Sequence, residues 1–277
     1  MFSDAHCHFR HLVYDDVEPT VKRIEKLGVE LVLMAGIDLF SSEQEILTAR
    51  RFSRLNILKA CIGIHAWNAD ICNEEALRKL KELALDSNVV AMSEIGLDYF
   101  STRGRETPLD RQIQRNSLHS LLRTAKEVNL PVIIHDGAPN QEILDILQGE
   151  GNAKVGAAIH GFNKDLAYAR RCVELGIYIS IGLGSFAPPE LMAKISMQPM
   201  PLRSISDAER AERERRNETL REVIRQIDLK WLLTETDRGR YPEGVLIVAE
   251  KIAEIKGLTK EEVGRATTQN LKKLVHL

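Results

Sequence analysis

The sequence contains no apolar run approaching the roughly 18 residues of a membrane-crossing helix, so no span is expected. It also has no excess of either charge, with 38 Lys and Arg against 40 Asp and Glu and a formal net charge of −2. That balance argues against a protein that holds nucleic acid on a broad basic surface, while leaving room for an enzyme that touches it only locally. Cysteine is scarce and scattered. Cys7, Cys61, Cys72 and Cys172 show no C-x-x-C spacing, which excludes zinc-finger chemistry and points to free thiols, with Cys7 as a buried packing residue. The opening Met1-Phe2-Ser3-Asp4 lacks a basic region followed by an apolar one, so a cytoplasmic protein is expected. Repeats, low-complexity tracts and domain linkers are missing as well. What is there is a chain of 277 residues, 44% hydrophobic and 28% charged, a length and composition that suit one large barrel or sandwich over residues 1–277.

Eight short runs rich in Val and Ile punctuate the chain. They are Met1 to His8, Val29 to Gly36, Ile57 to Ile64, Val89 to Ile95, Pro131 to His135, Val155 to His160, Gly176 to Ile181 and Trp231 to Asp237. Helical periodicity fills the intervals, as in Glu74 to Leu85, where Leu77, Leu80, Leu83 and Ala84 share a face. Apolar strands joined through helices imply parallel pairing and burial on both faces. Eight such units in about 250 residues predict an α/β fold of the (β/α)8 TIM-barrel type, with a doubly wound open sheet as the alternative. Ser42-x-x-Glu45 and Ser206-x-x-Glu209 have capping-box form. A long insertion separates strands seven and eight, Ser185 to Lys230, with Pro188-Pro189, Pro199-Met200-Pro201 and a mixed-charge helix from about Ser206 to Ile227, expected to be a solvated surface helix.

Residues able to bind a cation recur at the strand ends. His6 and His8 close the first strand, Glu94 the fourth, His135 the fifth, His160 the sixth and Asp237 the eighth, and His65 follows the third. A lone histidine at a strand end is usually structural, but barrel closure would bring all of these to one C-terminal mouth. Imidazole and carboxylate both bind divalent ions, and His6-x-His8 puts two imidazoles on one side of a strand about 6.5–7 Å apart. The count of ligands favours two ions: His6, His8, Glu94 and Asp237 for one, and Glu94, His135 and His160 for the other, with Glu94 shared. Two ions about 3.5–4 Å apart activate a water and stabilise an in-line displacement on phosphorus.

The segments carrying these residues resemble the TatD-type metal-dependent deoxyribonuclease family over nearly the whole chain. They are Asp4-Ala5-His6-Cys7-His8, Gly63-Ile64-His65, Ser93-Glu94-Ile95-Gly96-Leu97-Asp98-Tyr99, Leu130-Pro131-Val132-Ile133-Ile134-His135, Ile159-His160-Gly161-Phe162 and Thr234-Glu235-Thr236-Asp237, with Gln112 and Asn270 also in place. The resemblance implies an amidohydrolase-like TIM barrel with one or two metal ions that hydrolyses phosphodiester bonds of DNA. It implies metal ligands at His6, His8, Glu94, His135, His160 and Asp237, a general-base role for Asp237 besides, and a substrate-phosphate or leaving-group contact at His65.

Departures from the family pattern fall on the loops. Ala66-Trp67 follows His65, Asp136-Gly137 follows His135, Gly161-Phe162-Asn163-Lys164 replaces the usual segment, and Arg238-Gly239-Arg240 follows Asp237. Arg238 and Arg240 could clamp a phosphate bidentately or pair with surface acids. Lys164, Arg103 and Arg105 are further candidates for phosphate, and Tyr99, Phe100, Phe162 and Trp67 for stacking a terminal base, each with packing as the plainer role. The expected activity is therefore exonucleolytic cleavage of DNA, with a divalent ion, Mg or Mn favoured over Zn, and only local contact with a DNA or other phosphodiester substrate; no protein partner is indicated. The alternative keeps the metals and changes the substrate to a small carbonyl compound, as in an amidohydrolase or lactonase. A non-catalytic scaffold fits least, since buried carboxylates without a cation are costly.

Overall fold

A computed structural model describes residues 1–9, 14–101, 109–186, 191, 206–239 and 241–277. Within them, eight strands follow one another around a single sheet in chain order: β1 (Phe2–Cys7), β2 (Val29–Ala35), β3 (Leu58–Ile62), β4 (Val89–Asp98), β5 (Val132–Gly137), β6 (Ala157–His160), β7 (Tyr178–Gly182) and β8 (Leu232–Glu235). Each neighbouring pair from β1 to β8 is parallel. The helices are α1 (Tyr14–Lys26), α2 (Leu39–Arg51), α3 (Glu74–Leu83), α4 (Arg111–Glu127), α5 (Glu142–Glu150), α6 (Leu166–Glu174), α7 (Asp207–Gln226), α8 (Val245–Lys256) and α9 (Lys260–Leu274). This is a nearly closed (β/α)8 barrel. At the seam between β8 and β1 the Asp237 N–H donates to the His6 carbonyl at 2.8 Å, the Thr234 hydroxyl to the Ser3 carbonyl at 2.8 Å, and the Thr236 N–H to the Asp4 carboxylate at 3.0 Å.

Two buried clusters divide the apolar residues by strand alternation. Val32 and Met34 belong to the larger cluster between sheet and helices, whereas Leu31 and Leu33 join Cys61, Ala91, Ile133, Ala158 and Leu233 in a smaller one. Side chains two apart on a strand share a face, so the smaller cluster is the barrel interior, and His135, His160 and Glu235 stand on that face one step beyond Ile133, Ala158 and Leu233. Leu271, Leu274 and Val275, at the end of α9, join this interior cluster.

The structure corrects two local expectations. β4 runs on past Ile95 to Asp98, which sets Gly96 opposite His135 and Asp98 opposite Gly137. Gly96 is required there, because a Cβ would lie 2.0 Å from the His135 carbonyl oxygen. The Ser42–Glu45 capping box does not form: Asp38 caps α2, accepting from the Ser41 N–H at 2.7 Å, and Ser42 and Glu45 are buried inside the helix. Asp38 wins because a carboxylate one turn earlier reaches the free N–H groups directly. The Ser206–Glu209 box does form and starts α7, whose exposed first half carries a Glu212–Arg215 pair at 2.6 Å, while Leu220, Val223 and Ile224 are buried. The Pro188-Pro189 and Pro199-Met200-Pro201 segments lie outside the described residues. Cys7 is buried, its thiol donating to the Leu33 carbonyl. No described helix is long and apolar enough to cross a membrane.

Glu150 ties α4 to the end of α5. It accepts from His119 Nδ1 at 2.9 Å, Lys126 Nζ at 3.0 Å and Arg123 Nε at 3.1 Å. Burial alone would raise its carboxyl, but His119, Lys126 and Arg123 outweigh burial and bring it down to about 2. A folded value below the unfolded one means that this stability is present above the unfolded pKa and lost as pH falls toward the folded one. Glu150→Gln is expected to cost about 1 kcal/mol at neutral pH, with the gap from wild type narrowing between about pH 5 and about pH 2. Urea melts across that range check it, and a gap independent of pH would count against it.

Candidate metal centre

The C-terminal strand ends converge on one carboxylate. Glu94 is only 5% exposed at its side chain, and its two oxygens face different sets of imidazoles. Oε2 lies 3.3 Å from His8 Nε2 and 3.5 Å from His6 Nε2. Oε1 lies 3.2 Å from His135 Nδ1, 3.2 Å from His160 Nε2 and 3.3 Å from His65 Nε2. Asp237 joins the first set, its Oδ1 at 3.1 Å from His8 Nε2 and 4.0 Å from His6 Nε2. Its backbone is left-handed, φ 55°, a conformation an aspartate tolerates, and the N–H bond to the His6 carbonyl anchors the turn. Donor atoms within 4.8 Å of one another form three groups: His6, His8 and Asp237; His6, Glu94 and His160; and His65, Glu94 and His135. All six residues expected to ligate metal are thus brought together, and His65 stands among them.

The ring nitrogens turned away from Glu94 decide whether this set can hold a cation. His8 Nδ1 lies 3.0 Å from the Ala35 carbonyl, a pure acceptor, so Nδ1 carries a proton and Nε2, which faces Glu94 and Asp237, is the nitrogen that a cation would take in exchange for its proton. His6 Nδ1 lies 3.3 Å from Ser93 Oγ, while His6 Nε2 is buried with no hydrogen-bond partner among the described residues. His135 Nδ1 and His160 Nε2 face each other at 3.1 Å, with Glu94 Oε1 beside both. Lone pairs and carboxylate oxygens packed this closely out of water fit a divalent ion on each side of Glu94.

The protonation tendencies follow from the same crowding. Burial alone would raise Glu94, but the surrounding histidines, His65 foremost, hold it well below the usual carboxylate range. Burial lowers His8, yet Asp237 and Glu94 more than reverse this and lift it to about 9. Burial drives His65 down to about 4 despite Glu94. Asp237 is held low against burial, mainly by His8.

Other expected contacts fare differently. Arg238 turns back on Asp237, its Nη1 donating to the Asp237 carbonyl at 2.6 Å and to Oδ2 at 3.0 Å, with its side chain 30% exposed. Lys164 donates to the Ala138 carbonyl at 2.8 Å and pairs with Asp136 at 3.2 Å. Tyr99 is buried with its hydroxyl on Glu142 at 2.7 Å. Phe162 is buried, and Phe100 is exposed beside Asp98. His65 is wholly buried, accepts from the Trp67 N–H, and has the Trp67 ring 3.8 Å away. Gln112 bonds Asn116, and Asn270 holds the Leu229 and Leu232 carbonyls at the opposite end of β8. Arg103, Arg105 and Arg240 lie outside the described residues.

Three acids gain a place that sequence reading did not give them. Asp98 accepts from Trp67 Nε1 at 2.7 Å and lies 3.5 Å from His135 Nε2; Gln114 of α4 brackets its backbone. Glu235, fully buried, accepts from the Gly161 N–H at 2.6 Å and lies 3.6 Å from His160 Nδ1. Asp4 accepts from the His6 and Thr236 N–H groups. A signal existed for Glu235, which stands two residues before Asp237. Asp98 was hidden by the early stop assigned to β4.

Comparison with known proteins identifies the family. A family model described as TatD related DNase matches residues 3–276. YabD of Bacillus subtilis, described as an uncharacterized metal-dependent hydrolase, is 31% identical over 289 residues, spanning 100% of both chains. Human deoxyribonuclease TATDN3 is 26% identical, over 98% of this chain and 93% of its own. The crystal structure of the TatD homologue YJJV from Escherichia coli superposes with a TM-score of 0.77 at 23% identity, covering 100% of this chain and 98% of that one, a likeness of fold. The chain belongs to the TatD-related family of metal-dependent hydrolases.

Proposed function

We propose that this protein is a metal-dependent phosphodiesterase that shortens DNA from an end, with Mg or Mn as its working ion. The observation that carries the reading is the division of Glu94 between two imidazole sets, Oε2 toward His6 and His8 and Oε1 toward His135 and His160, with the more exposed Asp237 at the edge. The deoxyribonuclease name of the human relative supports the choice of substrate. Ions bound on either side of Glu94 would supply Lewis acidity, lowering the pKa of water and neutralising charge on the phosphate.

The chain's own residues do the rest. His6, His8 and Asp237 hold one position, His135 and His160 the other, and Glu94 serves both. Asp237 has a side chain 42% exposed against 5% for Glu94, so substrate and water approach from its side. It takes the proton of the attacking water at Oδ2, the oxygen facing Arg238, which keeps a second lone pair free. As water adds to phosphorus, the bond to the leaving sugar oxygen breaks, that oxygen takes up a proton from solvent, and Asp237 returns the proton it accepted to solvent, so that one water is consumed and the carboxylate is restored. His65, with Nδ1 engaged by the Trp67 amide, keeps its Nε2 3.3 Å from Glu94 Oε1 and packs against the shared carboxylate. Arg238 commits Nη1 to Asp237, and the remaining donors of its fork are assigned to a substrate phosphate. Phe100, 70% exposed, offers a face to a terminal base.

Metal-stripped protein resupplied with Mg, Mn or Zn is expected to convert a 5′-labelled single-stranded DNA oligomer to a ladder shortening from one end, and Asp237→Asn to slow this by about 10²- to 10⁴-fold. Absence of cleavage with every ion, with metal uptake verified, would overturn the reading in favour of a small carbonyl substrate. Arg238→Ala is expected to lower kcat/KM on the same oligomer by about 10- to 100-fold, the worth of a charged hydrogen bond, with Arg238→Lys recovering part of it. An unchanged kcat/KM would remove Arg238 from the site.

A further inference from the structure

The two candidate metal positions are backed differently. Behind the first, His8 leans on the Ala35 carbonyl and His6 on the Ser93 hydroxyl, both neutral groups. Behind the second, each imidazole has a carboxylate at its far nitrogen: Asp98 Oδ2 is 3.5 Å from His135 Nε2, and Glu235 Oε1 is 3.6 Å from His160 Nδ1. The first position has a carboxylate of its own, Asp237, whereas the second shares Glu94 and has no other direct one among the described residues.

We propose that Asp98 and Glu235 are the positioning residues of the second ion, delivering to it through His135 and His160 the negative charge that it lacks in direct contact. The inference rests on the two-ion reading of the site and is independent of the substrate. Charge balance motivates it. Two divalent ions bring four positive charges; Glu94 and Asp237 offset two, and Asp98 and Glu235 offset the other two. Position also motivates it. Glu235 is fully buried, fixed through Oε1 by the Gly161 amide, and its Oε2 has no hydrogen-bond partner among the described residues. A buried carboxyl oxygen without a partner is costly, and a cation beyond the ring would offset that cost. Asp98 is fixed by Trp67 Nε1 and by the Ser101 amide, so neither carboxylate has to be ordered when the ion binds. His160 Nδ1 is buried with no hydrogen-bond partner among the described residues, so a proton on it has only Glu235, 3.6 Å away, to face, and a carboxylate closing on an imidazole in this way favours the tautomer whose lone pair faces the metal. Asp4 does not compete for this role, because it is held by the Thr236 side chain and amide and by the His6 amide.

Titration of metal-stripped full-length protein with Mn²⁺, followed by calorimetry and electron paramagnetic resonance, tests it. Wild type is expected to take up two ions and to show a spin-coupled signal. Asp98→Asn and Glu235→Gln are each expected to weaken one of the two ions by about 10- to 100-fold and to leave the other unchanged, so that the uncoupled six-line signal persists where wild type is already coupled. The Glu235→Gln side chain keeps an oxygen for the Gly161 amide, and a thermal melt checks that the fold survives; should it not, Asp98→Asn carries the test alone. Two ions bound at wild-type affinity in both variants, or parallel weakening of both ions, would overturn the proposal. Uptake of a single ion by wild type would overturn the two-ion reading and this inference with it, whatever the DNA assay shows.

Discussion

A carboxylate removed from water among five imidazoles cannot stay there without positive charge at its oxygens, and the mouth of this barrel is arranged around that requirement. Glu94 is held ionised by its neighbours against the pull of burial, and the neighbours lie too close together for all to be charged by protons at once. Burial lowers His6 and His65 while His8 and His160 are raised, so the cluster is electrostatically divided when protons are its only cations. A divalent ion on each side of the carboxylate, displacing those protons, would resolve the division.

The barrel matters to the site through those distances. The six candidate ligands come from five different strands or the turns just past them, and their separation depends on strand register. Gly96 lets β4 approach the backbone of His135, and Gly239 lies so near His8 that a Cβ would sit 2.1 Å from its carbonyl oxygen. The seam between β8 and β1 is joined by Asp4, Thr234, Thr236 and the Asp237 amide, so the last bonds closing the ring also fix Asp237 against His6 and His8. Closing the fold and assembling the site are one event at that seam.

Much of this was legible in the sequence because parallel barrel strands carry strong local signals. Apolar runs marked all eight strands, though β4 and β5 run on past the expected ends, and a cation-binding residue at the end of a run has only one place to go once the barrel closes. What escaped reading depends on the third dimension. The true cap of α2 is Asp38, since the competition between Asp38 and Ser42 is decided by where the helix starts. Trp67, a departure from the family pattern, looked like a stacking candidate, yet its indole N–H is committed to Asp98. Lys164 was a candidate for phosphate, but it is paired with Asp136 of β5, a neighbour that sequence distance conceals. Asp98 and Glu235 stand behind His135 and His160, which are distant from them in sequence, and that pairing is set by the fold.

The claim on which the account stands is that Glu94 is shared by two ions. Anomalous diffraction at the Mn absorption edge, recorded from crystals of the protein loaded with Mn²⁺, tests it most directly. The account predicts two peaks about 3.5–4 Å apart, one between Glu94 and the pair His6 and His8, the other between Glu94 and the pair His135 and His160. A single peak, or peaks that do not flank Glu94, would contradict it.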